Sequence, residues 1–262
     1  MTFNAGALAG ILERAGRDII MPAFRSVSRT ARKSDGSIVT TTDLACQTFV
    51  SEELYRLAPD IAFLSEEMRE ADQLHCLKNS NGRYWCLDPL DGTTNFVANI
   101  PVFGSSLALI VDGFPVLACI HDPVRQETFV AETGLGAQLN GETIRGSQVD
   151  SLDEAVGYID FKRLSADQSA MLATRKLYRS QRNIGSCALE WAWLAAGRGD
   201  FIIHGGEKIW DFAAGSLLAT EAGCKVGDFS SRPVFPANRL TSPILATATE
   251  TLQSKLCSIL EG

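Results

Sequence analysis

The stretch WCLDPLDGTTN, residues 85–95, ends an apolar run in a corner that holds two carboxylates, a glycine and three hydroxyl or amide side chains. Like charges this close repel, so a cation is expected to hold Asp88 and Asp91 together. Pro89 favours an extended conformation at Asp88, which makes YWCLD a strand whose last carboxylate leaves the end of the sheet. Gly92 permits a tight turn, after which the N–H groups of Gly92, Thr93 and Thr94 open a helix facing the same spot. Acceptors for a cation and donors for an anion then sit side by side, and a divalent metal bridging to a phosphate satisfies both. Taken alone, an Asp-Gly corner is also a plain turn, and the stretch leaves both readings open.

Two more acidic sites bear on the choice. FLSEE puts Glu66 and Glu67 directly after a strand, and IWDFAAG puts Asp211 at the mouth of a later helix. Asp211 also fits as the cap of that helix, and Glu66 and Glu67 also fit as solvated loop charges. Open α/β sheets gather ligands just beyond strand ends, where all these acids can meet. Oxygen ligands without clustered His or Cys select magnesium or manganese over zinc. Two such ions, typically about 3.5 to 4 Å apart, suit in-line phosphoryl displacement, so metal-assisted hydrolysis is the chemistry implied.

The 262 residues, 45% of them apolar, suffice for one large domain or two modest ones. No run approaches the roughly 18 consecutive apolar residues that span a bilayer, and the N-terminus lacks the basic segment of a secretory signal. A cytoplasmic protein without membrane attachment is expected. The seven cysteines are widely spaced, without a C-x-x-C pair, which argues against a disulfide framework or a zinc site and for reduced, mostly buried thiols. A net charge of −7 makes direct nucleic-acid binding an unexpected role, although Arg25, Arg29, Arg32 and Lys33 cluster near one loop.

Apolar residues at three- and four-residue steps predict a long helix from Phe3 to about Val27, followed by an Asp35-Gly36 turn. A second helix is expected to start with Thr42 or Asp43 as cap and to run until Pro59. IAFLS and YWCL read as short buried strands. From Gly104 to about Arg145 an antiparallel meander is expected, turning at Asp112-Gly113 and Asn140-Gly141. Beyond residue 150 strands and helices alternate, so the boundary is drawn between an α+β half, 1–148, carrying DPLDGT, and an α/β half, 149–262, carrying WDFAAG.

The order Glu66-Glu67, then Asp88-Pro89-Leu90-Asp91-Gly92-Thr93-Thr94-Asn95-Phe96, then Trp210-Asp211-Phe212-Ala213-Ala214-Gly215 and Glu221-Ala222-Gly223 resembles the inositol monophosphatase family. The resemblance implies a layered αβαβα sandwich of the inositol monophosphatase/fructose-1,6-bisphosphatase type. It also implies a magnesium-dependent, lithium-sensitive phosphomonoesterase that forms a homodimer and acts on a small phosphorylated metabolite. Two or three Mg2+ ions per site are implied, with Mn2+ able to substitute. By the same resemblance Glu66, Asp88, Asp91 and Asp211 are metal ligands, and Leu90 contributes its backbone carbonyl. Thr93 and Glu66 would orient the attacking water, and Asp43 would help to hold a further metal through water. Gly92, Thr93 and Thr94 would receive the phosphate, while Gly185, Ser186, Cys187, His204 and Asp211 would lie along the substrate.

Inositol 1-phosphate or a related polyol or sugar phosphate is the expected substrate. A 3′(2′),5′-bisphosphate nucleotidase is the first alternative, with fructose 1,6-bisphosphate and histidinol phosphate behind it. Some bacterial relatives in this family also act in transcription complexes through a surface rather than the pocket. Three positions depart from the family pattern: Ser65 stands where Gly is common, His204 where an acid is common, and Cys187 beside the expected substrate contact. His204 reads either as a donor to a second phosphate or as a structural residue. Lys33 steers anions or sits in water. His75 and His121 read as structural, Trp191 and Trp193 as packing residues, and Cys187 lacks the neighbouring base that a nucleophile needs.

Overall fold

The computed structural model describes residues 4–26, 30–32 and 38–261. Phe3, Val27, Arg29, Lys33 and the Asp35-Gly36 turn lie outside the described residues, as does the side chain of Arg32. Helix α1 (Ala5–Ala15) is capped by Asn4, whose side chain accepts from the Ala7 N–H at 3.0 Å. It runs through a wider π-type turn (Gly16–Ile20) into the short α2 (Met21–Ala23). The widened turn brings Gly16 so close to His121 that a β-carbon there would meet the imidazole at 2.8 Å. Strands β1 (Thr30–Arg32) and β2 (Ile38–Thr40) pair antiparallel.

Helix α3 (Thr41–Leu57) begins two to three residues earlier than expected, because Thr40 rather than Thr42 or Asp43 is its cap. Asp43 is the third helical residue and accepts from the Thr40 N–H at 2.8 Å, while the Thr40 hydroxyl accepts from the Asp43 N–H. Two orphan donors are thus satisfied reciprocally.

The first sheet is built from β3 (Ala62–Ser65), β4 (Tyr84–Asp91), β5 (Gly104–Val111), β6 (Phe114–Asp122), β7 (Glu127–Glu132), β8 (Gly136–Leu139) and β9 (Glu142–Ile144), in that spatial order. Only the β3–β4 pair is parallel; the rest is the expected meander. Both residues of the Asp112-Gly113 and Asn140-Gly141 turns have positive φ, as tight hairpins require. Helices α4 (Glu70–Asn79) and α5 (Thr93–Val97) flank β4.

The second sheet uses β10 (Val156–Asp160), β11 (Ser180–Arg182), β12 (Phe201–Lys208), β13 (Lys225–Gly227) and β14 (Thr241–Thr247) in the order β11-β10-β12-β14-β13. It is interleaved with α6 (Ala166–Thr174), α7 (Cys187–Ala195), α8 (Ile209–Glu221) and α9 (Glu250–Glu261). The sequence expectations include none of β1, β2, α4, β13, β14 and α9.

Side-chain alternation sorts these elements into five layers. Leu87, Leu107 and Leu109 pack with Leu8, Leu12, Val50 and Leu54 of α1 and α3 on one face of the first sheet. Their neighbours Cys86, Ala108 and Ile110 face the other way, onto Trp191, Leu194, Phe212 and Leu218 of α7 and α8. Ile202 and Ile244 cover the same helices from the second sheet, whereas Ile203 and Leu245 turn outward to Leu172, Leu252 and Leu256 of α6 and α9. The order is therefore helix, sheet, helix, sheet, helix. One continuous core joins the two sheets through α7 and α8.

Candidate metal centre and phosphate site

All eight residues of β4 are buried, including Asp88 and Asp91. In a regular strand, residues three apart point to opposite faces. Here the pairing steps from Asp88 opposite Ser106 to Asp91 opposite Gly104, so β4 carries one extra residue and bulges. The bulge brings both carboxylates to one side. The Leu90 N–H donates to Asp88 Oδ1 at 3.0 Å, and the Pro89 carbonyl accepts from Ser105 Oγ at 2.7 Å, which pins the bulge. Gly92 then takes φ +87°, where a β-carbon would meet the Val102 carbonyl oxygen at 3.0 Å. Only glycine suits this corner.

Asp211 arrives from the other half of the chain. It is the third residue of α8, not its cap, and accepts from the Lys208 N–H at 3.4 Å. Ser106 Oγ donates to the Trp210 carbonyl at 3.1 Å, tying the start of α8 to the first sheet. Asp88, Asp91 and Asp211 each place one oxygen within 4.8 Å of the other two.

Burial pushes the Asp88 carboxyl well above the usual carboxylate range, and the charges of Glu66, Asp91 and Asp211 push it further. Asp211 is raised by burial and then by Asp91. Asp91 rises to about 6 through burial, opposed by hydrogen bonds from Ser186 and the Ala188 N–H. Buried carboxylates that raise one another in this way call for a cation, and three hard oxygens fit a magnesium-class ion.

A cavity of about 750 Å³ opens onto these acids. Its wall includes Glu66, Leu90, Gly92, Thr93, Thr94 and Gly185. The Thr93 hydroxyl lies 2.9 Å from Asp43 Oδ1 and 3.0 Å from the Leu90 carbonyl oxygen. Asp43 is fully buried behind Thr93, and burial raises its carboxyl against the hydrogen bonds from Thr40 and Thr93.

A model of the inositol monophosphatase family matches residues 7–262. The chain belongs to the inositol monophosphatase family. A fructose-1,6-bisphosphatase/inositol-1-monophosphatase from Thermotoga maritima is 38% identical to it over 227 residues, covering 85% of this chain and 83% of the relative. A protein from Escherichia coli named Nus factor SuhB is 36% identical over 206 residues, covering 76% of this chain and 75% of that protein. The solved structure of an IMPase from Thermotoga maritima is similar at 31% identity and TM-score 0.85, covering 97% of this chain and 95% of that one. Members of the inositol monophosphatase family are metal-dependent phosphatases.

Within this member of the inositol monophosphatase family, several expected substrate-side residues sit elsewhere. Ser186 is 1% exposed, and its hydroxyl donates to Asp91 Oδ2, which also accepts from the Ala188 N–H at 2.9 Å. Ser186 therefore steadies a candidate ligand instead of facing the cavity. His204 is absent from the cavity wall. The Gly206 N–H donates to its Nδ1 at 3.2 Å, so the proton resides on Nε2, which lies 3.1 Å from Asp160 Oδ2. Both ring nitrogens are engaged, and the reading of His204 at the substrate edge gives way to a structural one. Burial pushes the Cys187 thiol well up, a poor state for a nucleophile.

Three residues were not singled out from the sequence. Arg163 and Lys208 bring positive charge to the cavity wall; Arg163 Nη1 donates to the Gly206 carbonyl, and Lys208 Nζ lies 5.6 Å from the centre of the Trp210 ring. Glu207 is 1% exposed at the end of β12. Alternation along FIIHGGEKIW gave no signal for it: Glu207 shares the parity of the outward-facing Ile203, and only the register shift between His204 and Glu207 turns it to the inner side.

Proposed function

We propose that the protein hydrolyses a small phosphate monoester with magnesium, and that inositol 1-phosphate or a related polyol or sugar phosphate is its substrate. The observation that carries this reading is the approach of Asp88, Asp91 and Asp211, from two halves of the chain, to within 4.8 Å beside the Gly92 turn. Asp88, Asp91 and Asp211, with Glu66 and the Leu90 carbonyl, would hold two or three ions. Bound there, magnesium supplies charge neutralisation for phosphate and for the developing negative charge of the reaction.

The chain's own groups do the rest. The first N–H groups of α5 have no intrahelical acceptor, so those of Gly92, Thr93 and Thr94 are available to phosphate oxygens. Asp43 accepts the Thr93 hydroxyl proton, which leaves the Thr93 oxygen to accept from an attacking water. Glu66, across the cavity, takes a proton from that water. The water oxygen bonds to phosphorus as the ester P–O bond breaks, and the alkoxide leaves on the opposite side and takes its proton from solvent water. No covalent phosphoenzyme is required.

Arg163 and Lys208 favour a second reading, in which the substrate carries another phosphate, as in a sugar bisphosphate or adenosine 3′,5′-bisphosphate. Phosphate release from inositol 1-phosphate, fructose 1,6-bisphosphate, adenosine 3′,5′-bisphosphate and histidinol phosphate, each at one concentration with magnesium, separates these readings. Release from none of the four, in a folded and metal-loaded protein, sinks the proposal. The likeness to Nus factor SuhB supports a role in transcription beside catalysis; co-purification with RNA polymerase that survives Asp88→Asn is its signature.

A further inference from the structure

Next to the acid trio lies a second convergence of ligand atoms, of which the proposed hydrolysis uses only Asp211. The Cys187 thiol, the Glu207 carboxylate and the Asp211 carboxylate each place one atom within 4.8 Å of the other two. Cys187 opens α7, Glu207 is the penultimate residue of β12 and Asp211 sits in the first turn of α8, so three elements fix the cluster.

Glu207 is the informative member. Trp191 Nε1 donates to its Oε1 at 2.8 Å, which locks the carboxylate in one orientation. Its Oε2 is buried and has no hydrogen-bond partner among the described residues. A buried carboxylate oxygen without a donor is costly, so its persistence beside two other ligand groups points to a missing cation. Among the described residues, neither Glu207 nor Asp211 forms an ion pair with Lys or Arg.

We propose that Cys187, Glu207 and Asp211 form a site for a thiophilic divalent ion of the zinc or cadmium class, separate from the magnesium-type trio but sharing Asp211 with it. One sulfur and two oxygens leave the fourth position of a tetrahedral ion to a water. Magnesium avoids sulfur, so the thiol discriminates between the two ion classes. On binding, the Cys187 S–H proton is released to solvent and the thiolate sulfur bonds the ion. The Trp191–Glu207 hydrogen bond orients the ligand from behind. Because Asp211 cannot serve both ions fully, zinc at this site antagonises magnesium at the other.

The test uses the full chain, stripped of metal and then supplied with magnesium, and reads zinc directly by competition with a chromophoric chelator. Cadmium added in parallel reports sulfur coordination through its ultraviolet thiolate-to-metal band. One zinc per chain is expected to bind in the presence of magnesium, and cadmium is expected to give the band. Cys187→Ser should remove the band and weaken zinc at least about tenfold, and Glu207→Gln should weaken it by about tenfold. Zinc should still bind Asp88→Asn. The proposal is overturned if the unmutated protein shows no band, a result that needs no variant to fold. It is equally overturned if Cys187→Ser keeps the band, or if zinc is lost on Asp88→Asn while Cys187→Ser retains it. None of these readouts depends on phosphatase activity, so the proposal and the function above fail separately.

Discussion

The Ser186 hydroxyl donates to Asp91 Oδ2 across 95 residues of sequence, so one half of the chain sets the orientation of an acid on the other. Replacing it with alanine leaves Asp91 free to turn and removes one of the hydrogen bonds that favour its charged form. Ser186→Ala is expected to raise the magnesium concentration for half-maximal activity about 10- to 100-fold. Activity measured against magnesium at saturating substrate checks this. An unchanged midpoint would mean that Ser186 is only a helix cap.

Asp88 is set against itself in the metal-free state: burial and three neighbouring acids oppose its charge. Asp88→Asn should therefore melt higher than the parent in chelator, by about 2–4 °C for each kcal/mol of relieved repulsion. With magnesium present, its turnover should fall at least about a hundredfold. Calorimetry in chelator and phosphate release in magnesium give the two numbers. Near-normal turnover would contradict the assignment of Asp88 as a ligand.

Glu190 offers a cleaner pH effect. Burial raises its carboxyl to about 8, although the Ile184 N–H donates to it at 2.9 Å. A raised acid holds its proton longer when folded, so its contribution favours folding at low pH and turns against it as pH climbs from the ordinary glutamate range through about 8. Glutamine keeps the acceptor for Ile184 and cannot ionise. Glu190→Gln should match the parent in urea melts at pH near 5 and exceed it at pH near 9, by on the order of 1–3 kcal/mol. Parallel curves at both pH values would remove Glu190 from the account.

Asn95 joins the halves from the DPLDGTTN side. Its Nδ2 donates to the Val102 and Ile184 carbonyls, each at 2.8 Å. Asn95→Ala strands both acceptors in a largely buried place and should cost about 1–3 kcal/mol in denaturant melts, with the urea slope unchanged. A loss below a few tenths of a kcal/mol would show that water replaces the amide.

The residues at chain corners were the legible ones. Asp88, Gly92 and Asp211 stand out because strand ends and turns restrict which residue types fit, and a run such as DPLDG meets those restrictions openly. The bulge that turns Asp91 to the side of Asp88 was invisible, since it depends on pairing with Gly104 and Ser106 in another strand. The sequence does not single out Thr40 as the cap because three consecutive threonines offer equivalent hydroxyls, and only the reciprocal bond with Asp43 distinguishes them. His204 sits where a family contact was expected but is held by Asp160 and Gly206, and Glu207, for which the sequence carried no expectation, is enclosed beside Trp191. Enclosure is a property of the assembled layers, so neither outcome was available from local sequence.

The layering also sets an order of events during translation. Strands β3 to β9 are complete at Ile144, before Ser186 and Asp211 have been made. A nascent chain at that stage carries Asp88 and Asp91 without the hydroxyl and the acid that finish their surroundings. A chain released before that point would lack both the hydroxyl that orients Asp91 and the third acid of the proposed metal site.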